Sequence, residues 1–222
     1  MKRKPLLYLL FFALLFLIFF YVLTKVIPGF ASPTTPPISY VQPFSFFDQD
    51  GNRFTDKDVS GKVFVAEYFF TTCKGICPKM NENMKTIFER FKNESDFAIL
   101  SHTSMPETDS VPLMKAYEER MLGKNPAFDA KWYFVTGTKD SLYKMAQGYL
   151  LDNDKNNSIN VKDHFIHTQF FSLVDKQRRV RGIYDGLRHD ELERLQKDIQ
   201  KLLKEPVDKG GFNHSPFNNN PA

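Results

Sequence analysis

The chain contains two cysteines, Cys73 and Cys77, which lie four positions apart. Two thiols at this spacing can bind one soft metal ion or cycle between a dithiol and a disulfide. Lys74 lies between them, and a neighbouring positive charge favours the thiolate over the thiol. A purely structural role, as buried filler or one fixed disulfide, is the alternative. Because structural cysteines rarely occur as a lone close pair, we interpret this pair as a metal or redox site.

The cysteines are predicted to lie on a loop between a strand and a helix. The apolar, β-prone residues 63–70 precede them, and apolar residues recur at helical spacing over residues 80–91. Cys77 is expected at the N-cap position and Pro78 at the first helical position, where proline is well tolerated. The partial positive charge of a helix N-terminus would also favour a thiolate.

The N-terminus is predicted to anchor the chain in a membrane. An uncharged, apolar run from Pro5 to Thr24 follows the basic cluster Lys2-Arg3-Lys4. Such a helix of about 30 Å crosses one hydrocarbon core. A cleaved signal peptide is the rival interpretation, but the run is long and no strong cleavage motif follows it. We expect residues 1–4 in the cytoplasm and a single-pass anchor over residues 5–25 of the plasma (inner) membrane, with the rest extracytoplasmic, in the periplasm.

The charge balance excludes one class of partner. The chain has 30 basic and 26 acidic residues, and three of the basic ones belong to the N-terminal cluster. The remainder is therefore close to neutral and has no basic stripe, so no nucleic-acid partner is expected. Outside the cytoplasm disulfides are permitted, which would let the cysteine pair cycle.

The remaining chain divides into a linker, one domain and a tail. Residues 26–43 contain five prolines and predict an extended linker. Residues 44–204 are expected to form the domain, with a polar, Asn-rich flexible loop at residues 151–162. Residues 205–222 are rich in Asn, Pro and Gly and predict a disordered tail.

The domain is predicted to be α/β, with a central mixed sheet and helices on both faces. An N-terminal hairpin turns at Asp50-Gly51. The later elements are a strand at 63–70, a helix at 78–92, a strand at 97–101, a helix from Asp109 or Ser110, a strand at 131–136, a helix at 139–150, strands at 169–174 and 180–184, and a helix at 189–204. The final helix, hairpin and helix are the way thioredoxin-like domains end.

A metal site would need a third ligand besides the two sulfurs, and imidazole suits copper in either oxidation state. Of the five histidines, His214 lies in the tail and His189 begins the last helix, so both are expected to be solvated. His102 ends a strand and could approach the same sheet edge. His164 and His167 precede the final hairpin, opposite the cysteine loop in a thioredoxin-like fold, and His167 is the better placed. The residues alone leave open whether it is a ligand.

Two stretches resemble the Sco/SenC family, membrane-anchored thioredoxin-like proteins linked to copper delivery for cytochrome c oxidase. Residues 70–78, Phe-Thr-Thr-Cys-Lys-Gly-Ile-Cys-Pro, match all but one fixed position of the family's Phe-Thr-x-Cys-Pro-x-x-Cys-Pro signature. Residues 167–175, a His-Thr pair, an apolar strand and an acidic turn, are similar to its second signature. A middle stretch also resembles the family, and the likeness extends from about Phe44 to Leu203.

The resemblance implies that Cys73, Cys77 and His167 bind one copper ion per domain, as Cu(I) or Cu(II). The oxidised Cys73–Cys77 pair would not bind it. The protein would then be a metallochaperone that delivers copper to the copper-receiving subunit of cytochrome c oxidase. A thioredoxin-like reductant is a further expected partner.

The sequence departs from the family at two positions. Lys74 replaces a proline of the cysteine loop, and Met105 stands where the family has an aspartate before a proline. An acidic group near the loop is thus missing, although Glu107 and Asp109 are close in sequence. Met105 could act as a soft substitute ligand, but packing is the favoured interpretation.

Other functions remain to be weighed against copper delivery. In a thiol–disulfide reductase, Cys73 would attack and Cys77 would resolve the mixed disulfide, without any need for His167. A zinc module would have to combine the cysteines with His164 and His167, a spacing far from that of compact zinc fingers. A thiol peroxidase would need a threonine-proline-cysteine context, which the chain lacks.

Overall fold

The computed structural model describes residues 3–26, 36–124, 127–152 and 168–207. The first helix, α1, spans Arg3–Val26 and belongs to one unit, and a second compact unit begins at Pro37. None of the stretch Pro5–Thr24 of α1 is buried and, by length and composition, it could cross a membrane.

The second unit is built on a six-stranded sheet, which is mixed, as the sequence predicts. Its strands are ordered β1-β8-β7-β4-β5-β6, with β4 parallel to β5 and antiparallel to β7. A separate hairpin joins β2 to β3. The strands are β1 (Ser39–Tyr40), β2 (Ser45–Phe47), β3 (Arg53–Thr55), β4 (Val63–Phe69), β5 (Phe97–Thr103), β6 (Lys131–Val135), β7 (Phe170–Val174) and β8 (Arg179–Asp185).

Helices cover both faces of this sheet. They are α2 (Cys77–Phe91), α3 (Val111–Leu122), α4 (Lys139–Gly148) and α5 (His189–Lys204). Residues of β4 alternate between two cores: Val65 and Phe69 face α2, α3 and α5, whereas Phe64 and Tyr68 face α4 and the β2–β3 hairpin. A strand that is buried on both faces has a nearly continuous run of apolar residues, and this run predicts β4 from the sequence.

The domain begins earlier than the sequence predicts. Ser39 and Tyr40, placed in the expected linker, pair with β8, and the neighbouring Val41 is only 2% exposed. A two-residue edge strand shows no periodicity, so its pattern cannot be read from the sequence. The predicted loop and tail, residues 151–162 and 205–222, lie outside the described residues except for 151–152 and 205–207.

Candidate metal centre

The cysteine loop, residues 70–77, connects β4 to α2. Its backbone turns where the amide of Cys73 donates to the carbonyl of Phe70 at 3.2 Å. Ile76 is the N-cap of α2 and Cys77 its first residue, one position earlier than predicted, with Pro78 next. Proline fits there because the first helical amides have no intrahelical acceptor.

The two thiols differ in exposure. Cys73 is half-buried, whereas Cys77 is only 6% exposed. Burial raises the pKa of the Cys77 thiol to about 12, and its hydrogen bond with the Cys73 thiol raises it as well. This direction is opposite to the one expected from the helix start and Lys74, because burial is the largest contribution at Cys77. A metal ion has to displace its proton.

Asp109 fixes the start of the cysteine loop. This carboxylate is 1% exposed and accepts hydrogen bonds from the Thr71 amide at 3.2 Å, the Thr71 hydroxyl at 2.6 Å and the Thr103 hydroxyl at 2.5 Å. The Thr103 hydroxyl also accepts from the Met105 amide at 3.0 Å. Met105 supplies no acidic group. Asp109, four residues further along the chain, supplies one instead and holds the backbone of the cysteine loop in place.

Glu67 is a buried acid that the sequence pattern does not predict as part of the site. It is fully buried, and its carboxyl accepts a hydrogen bond from Ser101 Oγ at 2.5 Å. Ser101 Oγ in turn accepts from Trp132 Nε1 at 2.8 Å. Burial raises the pKa of Glu67 to about 8, and its charge contributes to the raised pKa of Cys77. The sequence feature that indicates Glu67 is its position as an acidic residue inside an otherwise apolar strand.

His102 cannot approach the cysteine loop. Its ring is fully buried on the α4 face of the sheet, stacked on Tyr68 with centroids 5.1 Å apart and edge-on to Phe46 and Tyr149. Burial lowers its pKa to about 4. His102 is a neutral core residue, and the suggestion that it reaches the sheet edge is wrong because its side chain points into the opposite core.

His167 and His164 lie outside the described residues, and no cluster of three or more potential His, Cys, Asp or Glu ligands occurs within the described ranges. The described residues that follow them start near the cysteine loop. Because β7 is antiparallel to β4 and Ser172 lies opposite Ala66, the chain enters β7 at the edge where β4 ends. The carboxylate of Asp185 also accepts from Gln169 Nε2 at 2.7 Å.

A hydrogen-bonded chain links this entry to the cysteine helix. The carbonyl of Gln169 accepts from the Gly186 amide at 2.8 Å, and the Gly186 carbonyl accepts from Asn83 Nδ2 at 2.7 Å. Asn83 lies in the second turn of α2. The segment that begins one residue after His167 is therefore tied to the helix that begins with Cys77.

The fold and the site define a thioredoxin-like domain with a cysteine pair at the start of its first sheet-packed helix. The sequence model of the SCO1/SenC family matches residues 32–204, so the chain belongs to the SCO1/SenC family.

Individual relatives agree with this assignment. The SCO1 protein homolog of Bacillus subtilis (strain 168) is 28% identical over 168 residues, which cover 74% of this chain and 83% of the relative. The structure of BsSco, a member of the Sco family of cytochrome c oxidase assembly proteins with a disulfide switch, aligns with a TM-score of 0.61 and 26% identity over 78% of this chain and 99% of that chain. Yeast Sco1 with copper bound has the same fold, with a TM-score of 0.58 and 22% identity over 78% of this chain and 98% of that chain.

Proposed function

We propose that the chain is a membrane-anchored metallochaperone that binds one copper ion and delivers it to the copper site of cytochrome c oxidase. The observation that carries the proposal is the pair of adjacent thiols, Cys73 and Cys77, at the start of α2 in a SCO1/SenC chain. Thiolates are the ligands that Cu(I) prefers, and the copper-bound form of yeast Sco1 gives a precedent within the family.

His167 is proposed as the third ligand. Its support is the family signature at residues 167–175 and the described chain of hydrogen bonds from Gln169 through Gly186 to Asn83 of α2. An imidazole binds either Cu(I) or Cu(II), so a site with two sulfurs and one nitrogen serves both oxidation states.

The exposure of the thiols suggests the order of transfer. Because Cys77 is buried and Cys73 is half-buried, an acceptor reaches copper from the Cys73 side. Copper then leaves by stepwise exchange of ligands, with Cys73 replaced first and Cys77 last. The proton that copper displaced from Cys77 returns to it when the metal departs.

Copper titration of the reduced, full-length chain in detergent, read by X-ray absorption, tests the copper site. We expect one copper per chain, with two sulfur ligands and one nitrogen ligand. Cys73→Ser or Cys77→Ser should abolish stoichiometric binding, and His167→Ala should weaken it, whereas the control His164→Ala should not. A ligand shell of oxygen or nitrogen alone would contradict the proposal, and unchanged binding in His167→Ala would remove that residue from the site.

A thiol–disulfide reductase is the second candidate, favoured by the same difference in exposure. Cys73 would attack a partner disulfide and release one partner thiol, and Cys77 would then release the second thiol and form the Cys73–Cys77 disulfide. A thioredoxin-like reductant would restore the dithiol. A Cys77→Ser variant should trap the mixed disulfide, and the matched Cys73→Ser variant should not. Copper transfer without any trapped species would count against this role.

We propose that α1 anchors the protein in the plasma (inner) membrane, with residues 1–4 cytoplasmic, residues 5–25 spanning the bilayer and the domain outside. The length and apolar surface of Pro5–Thr24 support this arrangement. In intact cells, a membrane-impermeant thiol reagent should label Cys73, which is half-buried rather than enclosed. Labelling that requires cell lysis would place the domain on the other side.

A further inference from the structure

An open groove of about 530 Å³ lies beside Cys73, a volume typical of sites that hold a small ligand or a short segment (about 300–1,000 Å³). The cysteine loop forms one wall and the last two turns of α3 form the other. The copper site proposed above uses one of its side chains. The walls include Thr72, Cys73, Lys74, Tyr117, Arg120 and Met121.

Among the described residues that line it, the groove carries two cations and no acidic residue. Arg120 and Lys74 are exposed, and neither forms an ion pair within the described part of the chain. By contrast Lys115, one turn earlier on α3, pairs with Asp50 and Glu118. A positively charged groove next to a half-buried thiol favours an anionic occupant.

The side chain of Arg120 is held in position by the ring of Tyr117. Its guanidinium lies 4.5 Å above the centre of the Tyr117 ring. The Tyr117 hydroxyl accepts a hydrogen bond at 2.6 Å from Nδ2 of Asn81, a residue of α2 that is 1% exposed. A guanidinium that stacks on a fixed ring keeps its edge free for a planar carboxylate.

The remaining surface of the groove is apolar or neutral. Met121 packs partly against the core, Pro78 is exposed at its rim, and Thr72 adds a hydroxyl. This combination suits a peptide better than an inorganic anion, because a peptide presents both apolar side chains and carboxylates.

We propose that this groove docks a short acidic peptide segment of the protein that exchanges copper or thiols with Cys73. Carboxylates of that segment pair with Arg120 and Lys74, and its own cysteine then lies against Cys73. The inference rests on the proposed function, since it names the chemistry of the partner at the same cysteine pair.

Peptide binding to the full-length chain in detergent tests the groove. The probes are two fluorescein-labelled heptapeptides with a central serine in place of cysteine, one flanked by glutamates and one by lysines, and the readout is fluorescence anisotropy at low salt. We expect the acidic probe to bind about tenfold more tightly than the basic one, and to weaken as salt screens the charges.

Charge reversal at Arg120 separates the groove from general electrostatics. Arg120→Glu should weaken binding of the acidic probe about tenfold and Arg120→Ala less, because the first adds repulsion to the lost attraction. Lys144→Glu is the matched control: it makes the same change of charge at an exposed position on α4, which packs on the opposite face of the sheet. Equal effects of Arg120→Glu and Lys144→Glu, or equal binding of both probes, would overturn the inference.

Copper stoichiometry in the same samples distinguishes the two proposals. Arg120→Glu should still bind one copper, because Arg120 is not a ligand. If the wild-type chain binds copper but does not discriminate between the probes, the groove inference fails and the copper proposal stands. If it binds no copper, the copper proposal fails whatever the probes show.

Discussion

At the scale of single residues, two buried titratable groups on opposite faces of the sheet have strongly shifted pKa values. Glu67 lies in the core shared with α2, where burial raises its pKa to about 8, and His102 lies in the core shared with α4, where burial lowers its pKa to about 4. Both groups are therefore neutral near pH 6. Each group is charged in the unfolded chain at that pH. The shift at Glu67 therefore lowers the stability of the fold as the pH rises, whereas the shift at His102 lowers it as the pH falls.

Glu67→Gln should remove a loss of stability that builds up as the pH rises from 4.5 to about 8. The folded-state pKa of about 8 exceeds the ordinary 4.5, so the stability that Glu67 contributes is fully present below pH 4.5 and is lost as the pH rises through 8. The full difference is about 5 kcal/mol at most. Urea unfolding, followed by Trp132 fluorescence, should show the variant gaining on the wild type between pH 5 and pH 8. The neighbouring titratable groups are Cys77 and Tyr117, whose pKa values the Glu67 charge raises.

Glu82→Gln is the control for this experiment, because Glu82 is exposed and pairs with Lys79 across one turn of α2. It should leave the pH profile unchanged. Parallel profiles for Glu67→Gln and the wild type would show that Glu67 is already ionised in the folded protein at pH 5.

His102→Phe should remove a loss of stability at acidic pH. The folded-state pKa of about 4 lies below the ordinary 6.5, so the stability of the neutral ring is present above pH 6.5 and is lost as the pH falls through 4. The loss amounts to about 3 kcal/mol at most. Phenylalanine keeps the ring contacts with Tyr68 and Phe46, and unfolding at pH 7 and pH 4.5 measures the difference. His189→Phe, at a side chain 90% exposed, is the control and should not flatten the profile.

At the scale of elements, the cysteine loop is positioned by contacts that are distant in sequence. Asp109, before α3, holds Thr71 across 38 positions, and Asn83 of α2 holds Gly186 across 103. The loop therefore depends on the β5–α3 connection as much as on its own residues. Asp109 is a positioning residue, since its carboxylate already holds one backbone amide and two hydroxyls.

Asp109→Ala should weaken copper binding by about tenfold or more, the effect usual for groups that orient ligands from behind. It should also destabilise the domain by about 3 kcal/mol, because several hydrogen bonds to a buried charge are lost. Competition with a Cu(I) chelator and urea unfolding measure the two effects. Asp58→Ala is the matched control, since Asp58 binds the Thr55 amide and hydroxyl in the same way but is exposed and lies near β3. Equal copper affinity in both variants would limit Asp109 to a structural role.

The sequence predicts what local pattern determines and misses what tertiary contacts determine. The apolar periodicity of residues 80–91 predicts α2 and the run at 63–70 predicts β4, because each element buries one or two faces. The raised pKa of Cys77 could not be predicted, since it depends on burial by other elements. The hydrogen bonds between Asp109 and Thr71 could not be predicted either, because no local pattern indicates a contact between distant positions.

At the scale of the whole molecule, the candidate metal centre lies at one end of the sheet. The helices α2, α3 and α5 cover one face of the sheet, and Cys77 begins α2. Within the described part of the chain, the opposite face, with α4 and the β2–β3 hairpin, contributes no residue to the candidate site. The helix α1 belongs to a separate unit, so the second unit is expected to fold without it.

Two truncations should separate the structural boundary from the boundary predicted by the sequence. A chain that starts at Pro37 keeps β1 and Val41, whereas one that starts at Phe44 removes both. We expect the shorter chain to be less stable by about 2 kcal/mol, chiefly because the burial of Val41 is lost. Urea unfolding of both chains checks this, and copper stoichiometry confirms that each retains the cysteine site. Equal stability would return residues 37–43 to the linker.

Because β4 is central in the sheet, local opening of the backbone should differ between β4 and the cysteine loop that follows it. Its backbone is hydrogen-bonded to β5 on one side and to β7 on the other, yet it ends directly at the cysteine loop. Amide protons of Val65 and Ala66 should therefore exchange with deuterium only on global unfolding, whereas those of Lys74 and Gly75 should exchange through small local fluctuations. A change of ligand or redox state at Cys73 can then be accommodated within a few loop residues, and the protection of the sheet should be the same before and after.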